Sequence, residues 1–208
     1  MKHLSGSILI FILFPVLIPF TVKSQAVKKG NSIISLCYGF PNLNANIYNV
    51  LESHDDFLIK SVGPFHLKYE YMITNKIGLG VNINFVLFNG TWKEIHDSLD
   101  ASNHLVDYII NYKVSTWNYN ALLRLNYHFY TDNRIDVYVG IAAGYRKDKT
   151  TLTSTPDDPK FTFVPAIFVP FGFELSMGSR YMFTDKLGGY AEFGIGKSIL
   201  QIGVCRKL

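Results

Sequence analysis

The sequence predicts an all-β fold, namely an eight-stranded antiparallel up-and-down transmembrane β-barrel that follows a cleaved N-terminal signal peptide. Three observations lead to this prediction. Aromatic residues make up 15% of the 208 residues and charged residues only 17%, whereas soluble domains carry about 25% charged residues. Apolar and polar residues alternate with period two through the long segments of the chain, as they do in strands. Three similar polar turns interrupt this alternation at nearly equal spacing.

The first segment of the chain is typical of a secretory signal peptide. Lys2 precedes an apolar run over 8–20, and small residues stand where a signal peptidase requires them, at Ser24 and Ala26. The run is shorter than the ~20 apolar residues of a spanning helix and contains two prolines. We predict a signal peptide over 1–24, with cleavage after Ser24 or Ala26.

The mature chain is nearly balanced in charge. Removal of 1–24 takes away Lys2 and Lys23, which leaves 18 basic against 16 acidic residues and lowers the formal net charge from +4 to +2. A charge this small does not favour nucleic acid as a partner. We predict that 27–208 forms a single β-barrel domain.

Three similar hairpins divide the chain. In each, an aromatic–polar–aromatic end of one run is followed by a Thr-Asn or Thr-Asp turn, a basic residue and a new alternating run. The turn threonines are Thr74, Thr131 and Thr184, so the copies lie 57 and 53 residues apart. Short turns at one rim and long loops at the other are the layout of an outer-membrane barrel. The long polar segments that alternate with these turns are 41–64, 89–113 and 147–163.

The alternation predicts eight strands. Their expected ranges are about 31–40, 63–73, 76–88, 114–130, 136–147, 166–183, 188–197 and 199–208. In the third strand, for example, Ile77, Leu79 and Val81 alternate with glycine and asparagine. Arg206 is the one charge on an apolar face, and its position near the end of the last strand lets it reach an interface. An even number of strands places both termini at the rim of the short turns.

Periodicity alone leaves two kinds of barrel open, because a soluble lipocalin-like barrel would bury the apolar face and a membrane barrel would turn it to lipid. The membrane barrel is favoured, since the interior of an eight-stranded barrel is too narrow for so many Phe, Tyr and Leu side chains. The polar face is rich in Gly, Asn, Arg and Glu, a mixture that suits a crowded lumen. Aromatic residues also collect at the short turns, where we predict an interfacial girdle of Tyr69, Tyr71, Tyr127, Phe129, Tyr181 and Phe183. Candidates for the opposite girdle are Trp117, Tyr119, Tyr145 and Phe171.

With these features the chain resembles the small outer-membrane β-barrel family of bacterial envelope proteins, the opacity-porin, OmpA-transmembrane and OmpX-like group. The resemblance covers 27–208 and is carried by the three Thr-Asn or Thr-Asp hairpins and by the closing stretch GGYAEFGIGKSILQIGVCRKL. It implies a location in the bacterial outer membrane, contact with outer-membrane lipid, and the barrel-assembly machinery as a partner during biogenesis. Such chains usually end in an aromatic residue, whereas this chain ends in Leu208, with Arg206 where the family often has an apolar residue.

The predicted inner face carries the candidate site. Its titratable side chains are Lys68, Glu70, Arg124, Asp136, Arg146, Glu174, Arg180 and Glu192, joined by His66 and His128. Acids and bases nearly balance, and unpaired buried charge is costly. We therefore predict a structural charge network that plugs the lumen, built on Lys68, Glu70, Arg124, Arg146, Glu174, Arg180 and Glu192. The alternative is a pore or transporter of the outer membrane for ions or small solutes.

The predicted function is structural, or a surface interaction through the long extracellular loops 41–64 and 89–113. These segments carry apolar residues that we expect to be exposed, such as Trp92 and Ile95, and loops on rigid scaffolds are where binding sites concentrate. The ligand class would be an extracellular protein or glycan. We predict no catalytic residue, cofactor or metal site, because no motif with the required spacing is found.

The two cysteines, Cys37 and Cys205, show no spacing of a metal or redox motif. We expect two small buried thiols. A single disulfide is the alternative for an exported chain.

Overall fold

The computed structural model describes residues 25–43, 58–99, 105–155 and 170–208, with the backbone alone for 96–99 and 105–108. The predicted signal peptide over 1–24 lies outside the described residues. Within them the chain forms eight strands: β1 (Ser32–Phe40), β2 (Leu58–Met72), β3 (Ile77–Leu99), β4 (Leu105–Thr131), β5 (Ile135–Thr155), β6 (Phe171–Met182), β7 (Leu187–Ile195) and β8 (Leu200–Lys207). The described part of the chain contains no helix that is both long and apolar enough to cross a bilayer.

The strands form one closed antiparallel barrel in the order of the sequence. Each strand pairs with the next, and β1 closes the ring by pairing with β8, for example through Leu36 and Val204. The turns 73–76, 132–134 and 183–186 lie together at one end of the barrel, which we call the near rim, and the β7–β8 turn, 196–199, lies at the far rim. The predicted fold class and the number of strands are thus confirmed.

The wall of the barrel turns its apolar side outward. Outward-facing Leu123 and Ile195 are each 69% exposed, whereas the inward-facing Asn126 on β4 is 2% exposed. The same alternation of exposed and buried residues runs along β6 from Phe171 to Met182. An apolar exterior around a polar interior is the arrangement of a barrel that spans lipid, and the sequence predicts it correctly.

The prediction of a long loop over 89–113 is wrong. The β3 strand continues to Leu99 and β4 begins at Leu105, and the two strands stay paired up to these residues. For the predicted loop 147–163, β5 extends into the segment as far as Thr155, and 156–163 lies outside the described residues. In the third predicted loop, 41–64, the part from Leu58 onward belongs to β2, and 44–57 lies outside the described residues.

The physical reason is that the alternation reverses over part of the wall beyond the membrane, although Ile95 and Ile109 still point outward, 69% and 54% exposed. On the far extensions of β3 and β4, the apolar Trp92, Ile110, Tyr112 and Val114 point inward and are buried, with Leu152 of β5 packed against them. The rings of Trp92 and Tyr112 stack at 5.2 Å. Trp92 was expected to be exposed, but it is only 7% exposed, because water rather than lipid surrounds this part of the wall.

Two of the near-rim turns are closed by a threonine hydroxyl. The Oγ1 atom of Thr74 accepts hydrogen bonds from the backbone N–H groups of Lys76, at 3.1 Å, and Ile77, at 2.9 Å. Thr184 does the same for the turn between β6 and β7. Such side-chain turns satisfy backbone donors that a strand no longer pairs. Thr131 differs, because its hydroxyl donates to Asp136 Oδ1 at 3.0 Å.

The residues before β1 cover the near end of the lumen. Ala26 and Val27 are each 1% exposed and pack against side chains of the inner wall such as Met72. The backbone N–H of Ala26 donates to the carbonyl oxygen of Asp132 at 2.7 Å, and its own carbonyl accepts from Lys207 Nζ at 3.1 Å. These bonds fix the segment across the near rim.

Both cysteines are buried and free. Cys37 of β1 is 4% exposed and Cys205 of β8 is 2% exposed, and both face inward. The structure therefore agrees with two small buried thiols and does not contain the alternative disulfide.

Candidate functional site in the barrel lumen

The centre of the lumen holds two ion-pair clusters. The first cluster consists of Lys68, Arg124, Glu174 and Glu192. Arg124 donates from Nη1 to Glu174 Oε1 at 2.7 Å and from Nη2 to Glu192 Oε1 at 2.9 Å. Lys68 Nζ lies 2.5 Å from Glu192 Oε2 and 3.5 Å from Glu174 Oε1, and it also donates to Gln201 Oε1 at 2.6 Å. Each cation thus bridges both carboxylates.

The second cluster lies closer to the near rim and consists of Glu70, His128, Asp136 and Arg180. Arg180 forms ion pairs with Glu70 and, at 3.0 Å, with Asp136. His128 approaches the same two carboxylates, with Nε2 2.9 Å from Glu70 Oε1 and Nδ1 2.7 Å from Asp136 Oδ1. The result is a closed arrangement in which two donors share two acceptors.

Two neutral side chains join the clusters. Asn126 accepts a hydrogen bond from Arg124 Nε at 2.8 Å and donates one to Glu70 Oε1 at 2.6 Å. The Tyr138 hydroxyl donates to Glu192 Oε1 at 2.7 Å, and the guanidinium of the second cluster lies 4.3 Å from its ring centroid. Such stacking is an attractive cation–π contact. We call the eight titratable residues of the two clusters the charged layer.

Every strand of the barrel contributes to this arrangement. Its members and their hydrogen-bond partners are Lys68 and Glu70 on β2, Asn82 on β3, Arg124, Asn126 and His128 on β4, Asp136 and Tyr138 on β5, Glu174, Ser176 and Arg180 on β6, Glu192 on β7, and Gln201 on β8. Cys37 on β1 joins them through its thiol, which donates to Gln201 Oε1 at 3.7 Å. The network therefore crosses the whole width of the lumen.

Charge within the layer can balance to zero. Lys68, Arg124 and Arg180 supply three cations against four carboxylates. Both ring nitrogens of His128 face a carboxylate oxygen, and only the imidazolium has two N–H groups with which to satisfy both. With His128 in that form the layer is neutral. None of its eight residues is more than 5% exposed, so the pairing is what makes their burial tolerable.

Six of the seven residues predicted for the lumen network fall in the charged layer. The seventh, Arg146, lies apart toward the far rim, where its Nε atom pairs with Asp148 Oδ2 at 2.9 Å and its side chain is 34% exposed. His66 faces the lumen and is fully buried, but its Nδ1 atom is 4.0 Å from Glu174 Oε2, beyond hydrogen-bond distance. Sequence reasoning missed Gln201, although its position between outward-facing Leu200 and Ile202 marks it as inward-facing.

The six predicted girdle residues all point outward at the near rim, on the three strand pairs that end in short turns. Their exposure ranges from 39% for Tyr69 to 56% for Phe183. Tyr181 and Phe183 contact each other edge to face at 5.8 Å. In the described part of the chain, no group of three or more His, Cys, Asp and Glu side chains has a metal-binding arrangement.

A closed eight-stranded barrel with an apolar outer wall and a charged, buried interior defines a membrane-spanning β-barrel protein. The chain belongs to the family described as outer membrane protein beta-barrel domain, which its sequence matches over residues 14–201. It is therefore an outer-membrane β-barrel protein, and lipid is the environment of its outer wall.

Comparison with curated protein sequences finds no match. Among solved structures, the chain is similar to the N-terminal β-barrel domain of Pseudomonas aeruginosa OprF, with 12% identity, 88% of this chain and 100% of that chain covered, and a TM-score of 0.39. It is also similar to Ail, the attachment invasion locus protein of Yersinia pestis, in its complex with the heparin analogue sucrose octasulfate. There the identity is 12%, the coverage 86% of this chain and 95% of that chain, and the TM-score 0.36. Because these TM-scores are low, the fold assignment rests on the strand pairings of the chain itself.

Proposed function

We propose that the protein is exported through its cleaved signal peptide to the bacterial outer membrane, where it is a closed, non-conducting barrel that presents its far-rim strands for surface interactions. The barrel-assembly machinery would insert it, and no catalytic step belongs to this role. The observation that carries the proposal is the charged layer, because together with its neutral hydrogen-bond partners it links side chains from all eight strands across the lumen.

A continuous ionic network is a barrier to ions. An ion that crossed the lumen would have to separate pairs such as Arg124–Glu174 and Lys68–Glu192, which are buried on both sides. Breaking a buried pair costs about 3–5 kcal/mol, since it leaves a charge without compensation. The interior of an eight-stranded barrel is only wide enough for its own side chains. A plug is therefore favoured over a pore.

The far rim supports a role in surface interaction. The extended β3–β4 hairpin is stiffened by the inward Trp92–Tyr112 stack, and a groove of about 540 Å³ is lined by Lys93 and Lys113, together with Thr91. Among the far-part residues of β2 to β5 whose side chains the structure describes, 58–62, 89–95, 109–116 and 147–155, no carboxylate points outward beside the exposed lysines, which are Lys60, Lys93, Lys113, Lys147 and Lys149. Such a basic surface suits an acidic glycan or an acidic protein.

Planar-bilayer recording tests the plug. The refolded wild-type barrel should show no stable single-channel steps. Arg124→Ala removes the guanidinium that bridges Glu174 and Glu192, and brief openings are expected in that variant. Lys76→Ala, in a near-rim turn outside the lumen, is the matched control and should stay silent. Steady, ion-selective conductance in the wild type, enlarged by Arg124→Ala, would overturn the plug and favour the transporter alternative.

Charge reversal tests the surface role. The double variant Lys93→Glu and Lys113→Glu should lose retention on immobilised dextran sulfate, which the wild type should show at low salt and lose at high salt. The variant Lys76→Glu and Lys186→Glu changes the net charge equally at the near rim and should bind like the wild type. Equal retention of both double variants would show that the far-rim groove is not the binding surface.

A further inference from the structure

The far half of the lumen contains polar side chains that the charged layer does not use. Each of them is buried, yet each has polar atoms without a hydrogen-bond partner in the part of the chain that the structure describes. These atoms are both ring nitrogens of His66, both amide atoms of Asn84 and of Asn118, Oδ1 of Asn120, Nζ of Lys197 and Oγ of Ser198. Buried polar groups are nearly always paired, so a group of unpaired ones requires an explanation.

Strand pairing places these residues side by side. His66, Asn84, Asn120 and Arg146 are successive partners across β2, β3, β4 and β5, and all of them face inward. Asn118, the next inward-facing residue of β4 toward the far rim, pairs with Asp148. The polar atoms therefore belong to one continuous patch of the inner wall, between the charged layer and the far rim.

Lys197 adds a cation to this patch from the β7–β8 turn. The residue is 4% exposed, and the charged side chains that act on it are Arg146 and Asp148 of β5. Ser198, next to it, packs directly on the wall, since a Cβ on Gly39 of β1 would overlap its Oγ atom. The turn thus holds an ammonium and a hydroxyl against the inner wall.

Among the residues that the structure describes, no carboxylate of this region is left free to balance the charge of Lys197. Asp148 is already bound by Arg146 Nε at 2.9 Å, and Glu174 of β6, which reaches the neighbouring Gly196, is bound by Arg124 and Lys68. Burial, reinforced by repulsion from Arg146, lowers the pKa of Lys197 to about 7. An ammonium buried here without a counter-ion is unfavourable, and an anion beside it would remove that cost.

We propose that this region is a binding site for a small inorganic anion of halide size. The ammonium of Lys197, the hydroxyl of Ser198 and the side-chain N–H₂ groups of Asn118 and Asn84 are its donors. All of these groups can donate hydrogen bonds, and none of them is a carboxylate that would repel an anion. The narrow interior of an eight-stranded barrel limits the ligand to a few atoms. The proposal does not depend on the surface role of the far rim or on the absence of conductance.

Chloride-35 NMR tests the site, because bound chloride relaxes much faster than free chloride. The refolded mature barrel, in a zwitterionic detergent with gluconate as the bulk anion, should broaden the chloride line saturably. Bromide should compete and gluconate should not. Lys197→Met should lose the saturable broadening, whereas Lys186→Met, in a near-rim turn, should keep it. Binding should weaken by up to about tenfold per pH unit above pH 7, as Lys197 loses its proton.

Two further measurements keep the result interpretable. Heat-modifiable mobility in electrophoresis shows whether each variant is folded, and Lys197→Arg, which keeps the positive charge, should retain binding within a few-fold of the wild type. A folded Lys197→Met variant that broadens the line like the wild type would overturn the proposal. So would a wild-type line without saturable broadening.

Discussion

Replacement of Leu123 by arginine probes the bilayer centre. Leu123 lies on the outward face of β4, 69% exposed, in a shallow groove whose other walls include Leu125, Ile141 and Phe173. It stands four residues after Tyr119 and four before Tyr127, the aromatic residues at the two ends of the lipid-facing stretch. Four residues span about 13 Å of strand, or about 10 Å along the membrane normal at a tilt of about 40°. Leu123 is therefore at the midplane.

An arginine at the midplane of a barrel wall costs about 2–4 kcal/mol, against about 0–1 kcal/mol near an interface. Ser115→Arg is the matched control, because Ser115 lies on the same face of the same strand but beyond outward-facing Trp117. With an unfolding slope of about 2 kcal/mol per molar urea, the midpoint for Leu123→Arg should fall by about 1–2 M. The control should lose well under half as much.

The assay is reversible urea unfolding of the refolded barrel in lipid vesicles, followed by tryptophan fluorescence and by the electrophoretic mobility of the folded form. Both probes should give the same midpoint if the barrel unfolds as one unit. Equal midpoints for Leu123→Arg and Ser115→Arg would refute the placement of Leu123 in the hydrocarbon core.

Three further predictions concern other parts of the chain. Intact-mass measurement of the exported protein should give Gln25 as the first residue, because cleavage after Ala26 would remove the buried Ala26 from the near rim. A mass that corresponds to a chain beginning at residue 27 would contradict this. Gly80→Ala should destabilise the barrel by about 1–3 kcal/mol in the same urea assay, since its Cβ would overlap the backbone of the neighbouring strand; an unchanged midpoint would show that the wall adapts. Glu174→Ala should cost about 3–5 kcal/mol, because Arg124 loses one of its two carboxylate partners, and a cost below about 1 kcal/mol would mean that water replaces the carboxylate.

The sequence was sufficient to predict the membrane-spanning part of the fold. Because lipid surrounds the barrel and polar side chains fill it, apolar residues point outward and polar residues point inward. This alternation is present in every strand. Beyond the membrane the solvent changes and the direction reverses, so that Leu152 and Val114 face inward and Thr153 faces outward. If only segments with outward apolar residues are read as strands, these extensions are assigned to loops. For this reason the sequence did not predict the far parts of β3, β4 and β5.

The candidate site was predictable only as a set of inward positions. The alternation of side chains along each strand places Arg124, Arg180 and Glu192 inside, and the structure shows them there. Which acid meets which base depends on how the strands are staggered around the barrel, and this information is not local in sequence. Arg146 has the right parity but lies too far toward the far rim to reach the charged layer. Lys197 escaped prediction because the expected strand 188–197 put it on the same side as outward-facing Ile195, whereas β7 ends at Ile195 and Lys197 lies buried in the turn that follows.

The pairing of β8 with both β1 and β7 has a consequence for how the wall tolerates damage. Without this strand the sheet would have two margins, and the unpaired N–H and C=O groups along them would face hydrocarbon, at several kcal/mol for each group. The seam is tight at Gly203, where a Cβ would overlap the backbone of Leu36. A substitution that disrupts the pairing of β8 with β1 or β7 therefore opens the whole barrel. It should appear as failed insertion of the protein rather than as a locally frayed strand.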